Sequence, residues 1–146
     1  MRFVPMIHNL TTTEQIFKYH NINYFDWKEG WEVGRLVLNQ EYRGQKNLVE
    51  CLYLAARWLR KNTEVCNMFA SCSHKMSRLY RQFGFKTIKE DLMLPDITKK
   101  YTAISGNLTR VVETLDILNQ KLSPSNLKND ITNNDITNNL TRAFYG

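Results

Sequence analysis

No run of about eighteen apolar residues occurs anywhere in this 146-residue chain, so no membrane-spanning helix is expected. A secretory leader is not legible either. The start, Met1-Arg2-Phe3-Val4-Pro5-Met6-Ile7-His8, has one basic residue and no long apolar segment behind it. Cysteine is scarce: Cys51, Cys66 and Cys72 form neither an even set nor a CxxC pair, and no histidine spacing completes a zinc pattern. These residues read as reduced, mostly buried thiols of a cytoplasmic protein, with no metal expected. His8, His20 and His74 lack the partner spacing that a ligand or catalytic role requires.

What is present is ordinary globular material. A hydrophobic share of 42% beside 23% charged residues suits one domain with a single core. The net charge of +6 implies an anionic partner; nucleic acid, a phosphorylated cofactor and an acidic carrier protein all fit. Basic residues recur at Arg57, Arg60, Lys61, Lys75, Arg78, Arg81, Lys86 and Lys89, for which a solvated face is the default explanation. A basic nucleic-acid-binding module with Trp27, Trp31 and Trp58 as stacking residues is one alternative. No zinc pattern or RNA-recognition aromatic motif supports it, so nucleic acid is the less favoured partner.

The pattern along the chain alternates strand and helix. Residues 1–5 read as a short strand, and Thr11-Thr12-Thr13-Glu14 as a capping box that opens a helix over 12–19, Glu14 reaching back to Thr11. A loop over 20–30 leads to a strand from Trp31 to Leu38. From Asn47 to Lys61, Leu48, Cys51, Leu52, Ala55 and Leu59 recur on one face of an amphipathic helix. Val65–Ser71 reads as a buried strand, and Ser73 as N-cap of a helix through Phe83 with Met76, Leu79 and Tyr80 on its apolar side. Gly84 ends that helix, Phe85 to Lys89 begins another strand, Lys99–Ser105 is a last strand, and Leu108–Leu122 a helix. From Ser123 the character changes to an Asn-rich tail, with Asp-Ile-Thr-Asn-Asn repeated at 130–134 and 135–139; it is expected to be mostly disordered. The domain expected is therefore 1–122, an α/β fold with one mixed sheet.

Chemistry is expected at the strand-to-helix junction. In Val37-Leu38-Asn39-Gln40-Glu41-Tyr42-Arg43-Gly44-Gln45-Lys46-Asn47-Leu48 a strand runs through a polar turn into the long helix. Free N–H groups there attract anions, Gly44 lets the backbone approach closely, and Arg43 and Lys46 add charge. That arrangement can wrap a pyrophosphate.

This segment resembles the acyl-CoA-binding turn of the GNAT superfamily of N-acyltransferases, in its Tyr-Arg-Gly form; Lys46 and Leu48 stand where the family has small residues. Ser73-His74-Lys75-Met76-Ser77-Arg78-Leu79-Tyr80-Arg81-Gln82-Phe83-Gly84-Phe85 is similar to the same family's Asn-x-x-Ala-x-x-Leu-Tyr-x-x-x-Gly-Phe helix, matching at Leu79, Tyr80, Gly84 and Phe85. A third stretch, Trp31-Glu32-Val33-Gly34-Arg35-Leu36-Val37, resembles the Trp-Glu-x-Ser-Arg-Phe-x-Val strand of acyl-homoserine-lactone synthases and the matching strand of N-acyl amino acid synthases. Arg2-Phe3-Val4-Pro5 is similar to the Arg-Leu-Leu-Pro strand preceding it. Gly34 and Leu36 replace the lactone synthases' serine and aromatic residue, which favours the broader class.

The resemblance implies a GNAT-like mixed sheet flanked by helices and truncated at its N-terminus, since it begins in the middle of the family's domain. It implies transfer of a fatty, long-chain acyl group from acyl carrier protein or acyl-CoA to a small amine such as an amino acid. Val37, Leu38, Arg43, Gly44, Gln45 and Lys46 would hold the donor, Glu32 would act as base, and Tyr80 would protonate the departing thiolate. Arg2 and Arg35 would hold the acceptor. Glu32 and Arg35 would face opposite sides of a regular strand, so both serve one site only if a bulge intervenes. A remnant without activity, or an interaction protein, is the other alternative.

Overall fold

The computed structural model describes residues 1–24, 26–35, 37–42 and 44–123. The Asn-rich tail from residue 124 lies outside them, as do Arg43 and Leu36. Nine regular elements follow in order: β1 (Arg2–Pro5), α1 (Thr12–Tyr19), β2 (Trp31–Gly34), α2 (Gln45–Asn62), β3 (Asn67–Cys72), α3 (His74–Gln82), β4 (Lys86–Leu94), β5 (Ile97–Asn107) and α4 (Leu108–Lys121). Short 3-10 turns at Trp27–Glu29 and Gln40–Tyr42 punctuate the loops. The fold is mixed α/β, as expected, with one five-stranded sheet in the order β1-β2-β3-β5-β4.

β2 and β3 are the parallel pair, joined through α2; the other three neighbouring pairs are antiparallel. A parallel pair needs a crossover of this length, and the helix uses it to bury a face. Register between β2 and β3 holds only at Trp31↔Met68 and Glu32↔Phe69. Beyond those residues β2 runs on to Gly34 and β3 to Cys72 without a ladder between them.

Alternation along the strands divides the core in two. On one face α2 and α4 cover Val33, Met68, Ala70 and Ile104, joined by Leu79, Tyr80 and Phe83. On the other, α1 covers Phe69, Leu92 and Ala103, with Met6, Ile16, Phe17 and Trp27 filling the layer. Rings there meet edge to face: Phe17 lies 5.6 Å from both Trp27 and Phe69. Gly30 is required at the edge of this layer, because a Cβ there would fall 2.2 Å from Phe69 Cε2.

Several expected boundaries move. β2 stops at Gly34, not Leu38, because Arg35 takes a left-handed φ of 51° that no strand residue holds. The buried stripe of α2 is Leu48, Val49, Leu52, Ala56 and Leu59; Cys51 and Ala55 are only half-buried at its margin. β4 and β5 run longer than expected, as an antiparallel hairpin broken by three register shifts. Caps fall where expected at Thr11, whose Oγ1 accepts from Glu14 N, and at Ser73, whose hydroxyl accepts from Met76 N. Gly84 has φ +92, the left-handed residue that ends α3.

Candidate functional site

Glu32 projects from the middle of β2 onto the α1 face and is 7% exposed. A buried carboxylate needs compensation, and two groups supply it. Thr13 N, in the first turn of α1, donates to Oε2 at 3.0 Å. The Arg2 guanidinium, held on the neighbouring strand by the register Arg2↔Gly34, donates to Oε1 at 3.4 Å. The positive end of α1 and the cation together hold the charge. Glu32 therefore anchors α1 to the sheet, whatever else it does. Beside it on the same strand, a Cβ built at Gly34 would lie 3.4 Å from Oε1.

Buried polar atoms without a hydrogen-bond partner on this face include Arg2 Nε, Ser71 Oγ and both oxygens of Glu14. Ser71 follows Phe69 by two residues, so it faces the same side as Glu32, at the end of β3 where the ladder has already parted. Nothing in the sequence marked Ser71; its only signal was a hydroxyl closing an otherwise apolar strand.

Glu14 departs from its capping-box reading. Its carboxylate does not return to Thr11 N. It is fully buried, with Lys18 Nζ 2.9 Å from Oε1 but out of hydrogen-bond alignment. Lys18 Nζ also donates to Asn9 Oδ1.

Tyr80 stands on the opposite face. It packs edge to face against Phe85 at 5.2 Å and Phe83 at 6.3 Å, and lines a small cavity with Met1, Phe3, Val33, Leu52 and Met68. That cavity offers about 20 Å³ to the centre of a water-sized sphere, room for a water but not for an acyl chain. Burial, with a smaller contribution from the Cys72 charge, pushes the phenol up to about 12. Cys72 itself is pushed up to about 11 by burial, offset in part by Lys99. Both groups hold their protons at neutral pH.

The donor-binding residues expected from sequence are brought together only in part. Gly44 precedes α2 in an extended conformation, and no side chain caps the helix. A Cβ at Gly44 would meet nothing within 4 Å, so neither conformation nor crowding inside the chain demands glycine. Gln45 and Lys46 form the first turn of α2. Leu38 packs against the larger core, whereas Val37 is 78% exposed and lies outside the strand assigned to it. Arg43 is outside the described residues. Arg35 is exposed, and its left-handed φ supplies the break in strand geometry at which Glu32 and Arg35 cease to alternate regularly. Among the described residues it makes no ion pair.

Glu32 and Tyr80 thus occupy opposite faces of the sheet. No family model matches the chain, and no curated protein matches it in sequence. A solved structure of an uncharacterized protein from Bacillus halodurans has the same fold, with a TM-score of 0.57 at 19% identity. The likeness covers 74% of this chain and 54% of that one, so this chain spans about half of that protein's length. At such identity the likeness concerns the fold alone.

Proposed function

We propose that this protein is a GNAT-type N-acyltransferase, moving an acyl group from a phosphopantetheine thioester to the amine of a small molecule. The observation that carries this reading is the parting of β2 and β3 immediately after Glu32 and Phe69. Val33–Gly34 and Ala70–Cys72 pair with β1 and β5 on their outer sides, and the backbone groups that face the gap can bond an extended pantetheine arm. The uncapped start of α2 lies on the connection that leaves the same strand end, and a diphosphate suits it. The three sequence resemblances fall on β2, this turn and α3, which adds independent support.

The amine nitrogen attacks the thioester carbonyl; a C–N bond forms, the C–S bond breaks, and the amine's proton leaves to Glu32 directly or through water. Either Glu32 oxygen would take that proton by giving up its bond to Arg2 or to Thr13 N. Arg2 Nε and Ser71 Oγ, both unsatisfied on the same face, suit an acceptor's carboxylate, which favours amino acids among amines. Tyr80 would donate a hydrogen bond to the departing sulfur. A phenol near 12 does not readily surrender its proton to a thiolate whose own pKa is about 8.5. Stabilising the thiolate by hydrogen bonding is the role that value supports, more than full protonation. Three unpaired cysteines accord with a reducing, cytoplasmic setting. No helix among the described residues is long and apolar enough to cross a membrane.

A non-catalytic remnant or interaction protein is favoured by two observations: both Glu32 oxygens are already engaged, and the cavity beside Tyr80 is too small for an acyl chain. Thiol release from long-chain acyl-carrier-protein, long-chain acyl-CoA and acetyl-CoA donors, across a panel of amino acids and amines, separates the readings. Amine-dependent release from the long-chain donors, with the N-acyl product identified by mass, is expected. Release from acetyl-CoA alone refutes the long-chain reading, and silence with every donor leaves the remnant.

A further inference from the structure

α2 carries a second apolar stripe that the fold does not use. Its buried residues face the sheet and α4, while Leu54 and Trp58 on the opposite side are 56% and 60% exposed. Half-buried Cys51 continues the line at helical spacing. A helix that already buries one face gains nothing from a tryptophan on the other. Cations border the stripe at Arg57, with its guanidinium over the Tyr53 ring at 5.4 Å, and at Lys61, while Arg60 lies further round the helix. Among the described residues these three make no ion pair, and Glu50 is the helix's one carboxylate.

We infer that this outer face of α2 docks a protein partner whose exposed helix carries carboxylates around an apolar spot. Trp58 and Leu54 would enter that spot, and Arg57 and Lys61 would pair with the carboxylates. Tryptophan and arginine are the residues on which binding energy concentrates, and uncompensated cations speed encounter with an acidic partner. A second copy is the poorer occupant, because two chains of net charge +6 repel at long range. The inference rests on the carrier-protein form of the proposed function and gives it a place.

Calorimetric titration with a purified acyl carrier protein, in its phosphopantetheinylated form, tests it. Trp58→Ala should weaken binding about tenfold or more, and Arg57→Glu with Lys61→Glu should abolish its salt dependence, with circular dichroism unchanged in both. Acyl-CoA turnover should be untouched by Trp58→Ala, while KM for the carrier thioester rises. No binding, or variants that bind like the parent, overturns the inference even if acyl-CoA is turned over. Binding with these sensitivities but no turnover of any donor leaves the surface standing and removes the acyltransferase. Self-association that Trp58→Ala abolishes would also overturn it, assigning the face to a second copy.

Discussion

The two faces of the sheet are buried by different means. Beneath α2 and α4 the core is broad and apolar, running from Val33 and Leu48 to Leu115. Beneath α1 it is narrow, held by a few rings, and it encloses Glu14 and Glu32 together with Thr11 and Thr13. Charge is costly to bury, and it is placed where a helix N-terminus and Arg2 can compensate it. The broad face carries the fold's stability. Most of the unmet polar atoms among the described residues lie on the narrow face, with Thr87 Oγ1 on the broad one, and Ser71 Oγ sits where the central strands part.

This contrast can be broken from either side. Phe69→Ala should cost about 3–5 kcal/mol in denaturant unfolding, because it removes the ring on which Phe17 and Tyr24 pack and against which Gly30 is fitted. An effect under about 1 kcal/mol would mean that the narrow layer is not a core. Glu32→Gln should cost less, about 1–3 kcal/mol, by weakening the hold on Arg2 and the start of α1. In the acyl-transfer assay it should lower kcat about 100-fold or more. Stability lost without loss of activity would reduce Glu32 to an anchor.

Alkaline unfolding gives a smaller effect on the other face. The folded thiol of Cys72 and phenol of Tyr80 titrate near 11 and 12, above their ordinary values of 9.0 and 10.0. The unfolded chain therefore loses these protons first. Stability from the raised values is whole below pH 9 and falls as pH climbs through 9 to 12. Tyr80→Phe should remove on the order of 1–2 kcal/mol of that decline, read from unfolding curves at stepped pH. An unchanged slope would place the phenol in water. Smallest of all, Gly44→Ala should leave stability within about 0.5 kcal/mol, since the added methyl meets nothing. It should weaken donor binding about tenfold if a diphosphate approaches there, and equal affinity would remove the turn from the site.

Much of the architecture was legible because it rests on local chemistry. Thr11 and Ser73 as caps, Gly84 as the helix stop and the Leu48-Leu52-Leu59 stripe all act within one or two turns of chain. Strand ends were less legible. Val37 and Leu38 look like strand by composition, but the left-handed φ at Arg35 ends β2 earlier, and an arginine gives no sign of that conformation. The site divided similarly. Arg2 and Glu32 were singled out through resemblance for separate roles, as acceptor holder and base, and the structure joins them as an ion pair at 3.4 Å. The engagement of Glu32 by Thr13 N, the burial of Glu14 and the unmet hydroxyl of Ser71 depend on how α1 lies across the sheet. Periodicity in a sequence does not carry that information.

The central claim is that a thioester donor lies between the parted ends of β2 and β3, with its phosphates at the start of α2. Backbone amide shifts during titration with an unreactive thioether analogue of acyl-CoA test this most directly. The largest changes are expected at Gly44, Gln45 and Lys46 and along Val33–Gly34 and Ala70–Cys72, with Tyr19 and His20 at the far end of α1 unmoved. Changes confined to the outer face of α2, or none at saturating analogue, would contradict it.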